Sequence, residues 1–132
     1  MTKSILQFVV ALIGCTLFIS CKKEAAQKKI ERVVYSIRSD QLKYITIIIY
    51  SDENGKAITL SSAGQSSTEW TTDIFPSQKP FTAKMSVTVI NSSSVPIQFI
   101  LVISVSGTDV KSQSMLALPS ATITKEIEDT IY

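Results

Sequence analysis

From residue 33 onward, apolar and polar residues alternate with the two-residue period of a half-buried β-strand. In the segment 81–89 every odd-numbered residue is apolar, and the even-numbered residues are Thr, Lys, Ser and Thr. The segment 97–105 repeats this pattern, but Ile100 and Val102 make its second face partly apolar, as expected for an inner strand. The segment 42–50 is β-branched on both faces, which predicts a strand that is covered on both sides.

Turn-forming residues separate these segments. Asp52-Glu53-Asn54-Gly55 is the plainest case, because Asn-Gly suits the positive φ angles of a tight hairpin turn, so 42–50 and 57–60 should pair. Regular short strands without helical spacing predict an all-β fold: a single immunoglobulin-like antiparallel β-sandwich of about seven to eight strands, after an N-terminal signal helix. The predicted strands are 33–38, 42–50, 57–60, 68–75, 81–89, 97–105, 110–116 and 121–127.

The first two dozen residues have a different pattern, with Lys3 followed by an apolar run over 5–19 and then by Ser20-Cys21. This order is typical of a secretory signal. The run has 15 residues, fewer than the roughly 20 needed to span a bilayer. If this run stayed in the membrane as a helix, more lysines would lie on the outer side than on the cytoplasmic side. Membrane proteins usually show the opposite distribution of Lys and Arg. The sequence therefore predicts a signal peptide over 1–20, a charged tether over 21–32 and one domain over 33–132.

Phe18-Ile19-Ser20-Cys21 resembles the bacterial lipobox, which implies that Cys21 is acylated, with palmitate among the expected chains, and becomes the new N-terminus. Leu12-Ile13-Gly14-Cys15 resembles it too, but cleavage there would leave the apolar stub 16–19, so Cys21 is preferred. Lysines directly after the cysteine resemble lipoproteins of the Bacteroidetes type. With no Asp at position 22, we expect attachment to the outer membrane of the cell envelope. Whether the domain is on the periplasmic or the surface face stays open.

The amino-acid composition excludes several kinds of catalytic and metal-binding site. The chain has no histidine, and acylation of Cys21 would leave no thiol in the mature domain. Imidazole and thiolate catalysis, disulfides and the commonest metal sites are thereby excluded, so we expect no cofactor, no metal and no catalytic residues. The formal net charge is only +2, and most of the excess positive charge lies in the tether. Nucleic acid is therefore not an expected partner.

The order of features also resembles the small MmpS-type membrane proteins that accompany lipid exporters of the RND class. The matching pieces are Val33-Val34-Tyr35-Ser36-Ile37, the strand and turn 44–55, Glu69-Trp70-Thr71, the strand 81–89 and the hairpin 103–111. The chain departs from that family in its lipid anchor, in Thr68-Glu69 where Leu-Pro is usual, and in the missing cysteines. The resemblance implies a shared fold more than a shared exporter partner.

Three aromatic residues are candidates for a partner contact: Trp70, Tyr44 and Tyr50. A lone Trp in a small sandwich is more often a buried core residue than a contact residue, so for Trp70 burial in the core is favoured over contact with a partner. Asp52, Glu53 and Asn54 could hold calcium, but a turn is favoured. Glu126, Glu128 and Asp129 could supply the carboxylate pair of a glycosidase, but such a pair needs separate strands and a cleft.

Asp129-Thr130-Ile131 resembles the short O-glycosylation motif of Bacteroidetes, which makes Thr130 a candidate modification site. Taken together, the sequence predicts a non-enzymatic binding or accessory module, anchored to the membrane by lipid, with an envelope protein such as an RND-type exporter as its partner. Two alternatives remain: a glycan-binding surface lipoprotein and a small carboxylate-dependent enzyme.

Overall fold

The computed structural model describes residues 31–61 and 68–132, and within them the chain forms an all-β sandwich. The predicted signal helix, both lipobox-like cysteines and the tether up to residue 30 lie outside the described residues. The described elements are β1 (Val33–Arg38), a 3-10 turn (Leu42–Tyr44), β2 (Ile45–Ser51), β3 (Ala57–Ser61), β4 (Glu69–Ile74), β5 (Phe81–Ile90), β6 (Ile97–Val105), β7 (Thr108–Ala117) and β8 (Thr122–Ile131). Within the described ranges, no helix has the length and apolar character to cross a membrane.

The strands form two four-stranded sheets, in the orders β4-β1-β6-β7 and β3-β2-β5-β8. Every neighbouring pair is antiparallel, which confirms the antiparallel sandwich. β1 lies between β4 and β6, and its first residue, Val33, pairs with both Ile74 and Val105. The predicted hairpin of 42–50 with 57–60 is confirmed by the pairing of β2 with β3.

The core forms where the alternating apolar residues of both sheets meet. All five odd-numbered residues of 81–89 are buried, and β6 likewise turns Ile97, Phe99, Leu101 and Ile103 inward. Burying such a side chain contributes roughly 1.5–3 kcal/mol, so β5 and β6, each an inner strand of its sheet, contribute much of the stability. Val102, on the opposite face of β6, is buried as well, which agrees with the predicted inner position.

The segment 42–50 departs from the prediction. Leu42–Tyr44 is a 3-10 turn, and the strand begins only at Ile45. A register shift between Ile45 and Ile47 in the pairing with β5 breaks the alternation, so Ile45 and Ile48 both point into the core. Ile47 is left 37% exposed. The expected cover on both sides is therefore wrong at Ile47, because none of the described elements packs over the second face of this sheet.

Two tight turns position neighbouring strands. Ser106 and Gly107 have φ angles of 50° and 87° and join β6 to β7 as a two-residue turn of the I′ kind. At the β2–β3 turn only Gly55 has a positive φ, 79°, so this is not the simple Asn-Gly turn that the sequence suggests. Instead, the carboxylate of Asp52 accepts hydrogen bonds from the backbone N–H groups of Asn54 (2.9 Å) and Lys56 (2.8 Å).

Candidate functional site

The sandwich has two ends, and the chain enters at one of them. Arg32 precedes β1, and its carbonyl accepts a hydrogen bond of 2.8 Å from the backbone N–H of Ser106. Lys79 at the same end forms an ion pair of 2.9 Å with Glu31 and donates a 2.6 Å hydrogen bond to the carbonyl of Tyr132. We call this the entry end, and the opposite end, where β1, β5 and β7 finish, the distal end.

A buried amide organises the loops of the distal end. Asn91 is fully buried, and its Nδ2 donates to the carbonyls of Val95 (2.8 Å) and Ala117 (2.9 Å). Its Oδ1 accepts from both the backbone N–H and the hydroxyl of Ser93, and its backbone N–H donates to the carbonyl of Ala121. One side chain thus joins the β5–β6 loop to the end of β7, and a satisfied buried network of this kind holds loops in a single arrangement.

Exposed aliphatic residues surround that network on the distal end. Val95 is 58% exposed, Leu116 and Leu118 are each 55% exposed, and Ile100 is 37% exposed. Leu116 pairs with Gln98, which places it diagonally across from Ile100 on the outer face of the sheet. Val95 and Ile100 line one common depression. We call these four residues the distal patch.

The depression beside the patch has a volume of about 470 Å³ and is shallow. Three of its polar side chains are already engaged within the fold. Arg38 Nε lies 3.0 Å from Glu69 Oε1, the Ser39 hydroxyl donates to the carbonyl of Gln98, and Gln98 Nε2 donates to the Ser114 hydroxyl. A small ligand normally needs a deeper pocket with polar groups that converge on it. A broad apolar surface with a polar rim suits a protein partner better.

The aromatic residues singled out in the sequence lie elsewhere. Trp70 is only 7% exposed and packs in the core, as expected for the single Trp of a small sandwich. Its ring lies 5.9 Å from that of Tyr50, which in turn lies 5.5 Å from that of Tyr35. Tyr44 is half-buried, with Lys43 Nζ 5.1 Å from its ring centroid. None of these aromatics belongs to the distal patch, and their contact with a partner stays a prediction.

Tyr35 is the most perturbed ionisable group among the described residues. Its ring is buried, and burial raises its pKa to about 12 because the phenolate would lose its hydration. The Ser51 hydroxyl and the backbone of Lys84 lie close enough to oppose this rise in part. Even so, the Tyr35 hydroxyl makes no hydrogen bond of ordinary geometry to any described residue. A phenol locked in its neutral form has no acid–base role near neutral pH.

The acidic candidates do not converge on a catalytic geometry. Glu126 and Glu128 lie two residues apart on β8, so they share one face of a single strand. Glu126 Oε1 is 3.0 Å from Lys84 Nζ, and this ion pair raises the pKa of Lys84. Asp52 caps its own turn, and no group of acidic side chains that could hold a metal ion occurs in residues 31–61 and 68–132.

Thr130, the candidate glycosylation site, is exposed on β8. Among the described strands, β8 lies at the edge of its sheet, beside β5. The Thr130 hydroxyl lies 3.5 Å from that of Thr82. The position is open to an external enzyme, and modification there stays a prediction.

Sequence analysis did not single out the distal patch. Two signals could have found it: Val95 is an apolar residue in a Ser-rich loop, and the run Met115-Leu116-Ala117-Leu118 breaks the strand alternation just before Pro119. Comparisons with protein-family models, with curated proteins and with solved structures found no match.

Proposed function

We propose that this protein is a lipid-anchored envelope protein that works as a non-enzymatic binding module and presents its distal patch to a protein partner. The observation that carries the proposal is the position of this patch at the end of the sandwich opposite chain entry. An anchor at Cys21 would hold the entry end near the membrane. The distal end would then face away from the lipid, where a partner can reach it.

Two features support a protein partner. The patch consists of exposed aliphatic side chains on a surface whose loops are fixed by Asn91, so little conformational entropy is lost on binding. Exposed apolar groups rimmed by polar residues are typical of protein interaction sites. An RND-type exporter is the candidate partner that the resemblance to MmpS-type proteins supplies.

The alternatives have less support among the described residues. A glycan-binding lipoprotein would use exposed aromatic rings for stacking. Trp70 is buried and Tyr50 is packed against it, and the exposed rings of Phe75 and Tyr132 lie at the entry end, which the proposed anchor would hold near the membrane. A carboxylate enzyme would need two carboxylates on opposite sides of a cleft, whereas Glu126 and Glu128 share one strand.

The anchor is tested by metabolic labelling with a palmitate analogue in a bacterium that processes lipoproteins. We expect Cys21→Ala to abolish labelling and to leave an unprocessed precursor, while Cys15→Ala remains labelled. The reverse result would move the anchor to Cys15. If the wild type and both variants remain unlabelled, the protein is not a lipoprotein. Fractionation of the labelled cells tests the expected outer-membrane location.

The partner surface is tested by cross-linking in the native envelope. We expect the double variant Leu116→Ser/Leu118→Ser to lose the cross-linked partner that the wild type captures. Val110→Ser is the matched control, because Val110 is 40% exposed on the same strand, near the entry end. Equal capture by both variants would show that the distal patch is not the binding surface.

A further inference from the structure

The entry end carries an exposed aromatic residue for which the fold gives no packing reason. Phe75 is 54% exposed and directly follows β4, whose last residue, Ile74, pairs with Val33 at the start of β1. Tyr132, after β8, is also exposed at this end, where its carbonyl accepts a hydrogen bond from Lys79. Phe75 therefore lies beside the point at which the chain enters the sandwich.

Two ion pairs lie at the entry end near Phe75. Arg32 Nε lies 2.9 Å from Asp73 Oδ2, and Lys79 Nζ lies 2.9 Å from Glu31 Oε2. Asp73 precedes Phe75 by two residues and Lys79 follows it by four. These two ion pairs bring no net charge to the surface around the ring. A further acidic side chain close to Phe75 in the fold is the exposed Glu53, whose carbonyl accepts a hydrogen bond from the backbone N–H of Ser77.

We infer that the entry end rests on the bilayer surface, with the ring of Phe75 in the interfacial layer. This inference depends on the proposed lipid at Cys21. Residues 22–30 separate Cys21 from Glu31, so the described domain begins at most roughly 35 Å of extended chain from the anchor. Such a short link keeps the domain at a high effective concentration at the membrane surface.

The bilayer, rather than a second copy of the chain, fits the position of Phe75. An anchor upstream of Glu31 brings the entry end to the lipid before any other part of the domain. Phe, like Trp and Leu, occurs on the apolar face of segments that lie in the membrane interface, where this face leaves water. With Phe75 in the interface, the long axis of the sandwich stands away from the membrane, so the distal patch is held outward in a fixed orientation instead of sampling all directions.

The test uses lipidated protein in phosphatidylcholine vesicles that contain lipids brominated near the top of the acyl chain, which quench fluorescence on contact. Phe75→Cys and Val95→Cys are each labelled with an environment-sensitive fluorophore. The two positions are matched, since the native residues are 54% and 58% exposed at opposite ends of the domain. With Cys21 acylated, the introduced residue is the only free thiol of the mature chain.

We expect the probe at position 75 to be quenched and blue-shifted, and the probe at position 95 to be unaffected. If vesicle-bound protein is quenched at neither position or at both, the orientation is wrong although the anchor stands. A probe at position 75 that is shielded from water but not quenched by lipid would indicate a second copy and overturn the inference. Failure of the protein to sediment with the vesicles would instead overturn the lipid anchor itself, which separates the two failures.

Discussion

The ring of Tyr35 on β1 packs against the ring of Tyr50 on β2, with centroids 5.5 Å apart and planes at 47°, so this contact joins the two sheets of the sandwich. The Tyr35 hydroxyl is fully buried there and makes no hydrogen bond of ordinary geometry to a described residue, although the Ser51 hydroxyl and the backbone of Lys84 lie close to it. Tilted aromatic pairs stabilise a fold beyond their buried area, whereas a buried hydroxyl without a partner destabilises it. Replacing Tyr35 with Phe separates the two effects, because it removes the hydroxyl and keeps the ring.

Tyr35→Phe keeps the ring contact and removes the unpartnered hydroxyl. We expect the free energy of unfolding to rise by about 1 kcal/mol, because an unpaired buried polar group costs about 1–3 kcal/mol. Urea denaturation followed by circular dichroism measures the change. Tyr50→Phe is the control, since its ring is only half-buried. A loss of stability in Tyr35→Phe would mean that the hydroxyl has a partner, with Ser51 the first to examine.

The raised pKa of Tyr35 predicts a loss of stability at alkaline pH. The folded state holds this proton to about pH 12, whereas an unfolded tyrosine releases it near pH 10. The contribution of protonated Tyr35 to the free energy of unfolding is therefore complete below pH 10 and is lost as the pH rises from 10 towards 12. Phe does not titrate. The difference in the free energy of unfolding between wild type and Tyr35→Phe should therefore widen across this window by up to about 2 kcal/mol. Equal pH dependence in the two proteins would contradict the shift.

Trp70→Ala should lower the free energy of unfolding by roughly 3–5 kcal/mol, because it opens a cavity beside Tyr50 in the core. Phe75→Ala is the matched aromatic control and should change stability by less than about 0.5 kcal/mol, as expected for an exposed position. Thermal unfolding measures both. An unchanged melting temperature in Trp70→Ala, together with a loss of partner capture, would make Trp70 a contact residue.

Asn91→Ala should destabilise the protein by roughly 1–3 kcal/mol, because it removes the buried side-chain donor to the carbonyl of Ala117 and leaves the carbonyl of Val95 to the hydroxyl of Ser93. Asn91→Asp keeps the shape but turns an acceptor towards those two carbonyls, so it should be at least as harmful. Ser92→Ala, at an exposed position in the same loop, is the control. Hydrogen exchange should show faster opening of the β5–β6 loop in both Asn91 variants, and protection equal to that of wild type would argue against the network.

Much of the strand pattern could be predicted from the sequence. The bounds of β1 and β6 agree with the segments 33–38 and 97–105, because alternating β-branched and aromatic residues favour a half-buried strand over a helix. The end of β8 was missed, since Glu128, Asp129 and Thr130 have little intrinsic preference for a strand. β8 nevertheless extends to Ile131, because it pairs with β5 along the whole length of β5. Tertiary pairing here overrides local propensity.

By itself, the sequence determined the all-β class, the strand alternation and the absence of histidine, because side-chain period and composition are properties of the chain alone. Only the tertiary structure decided which exposed residues share a surface. Val95, Ile100 and Leu116 come from a loop and two strands, and they meet because β6 and β7 pair in one register. Phe75 and the distal patch face opposite ways for a similar reason: β4 ends where β1 begins, whereas β7 ends at the other side. Strand direction and register are long-range choices, fixed by how two sheets bury their apolar faces together.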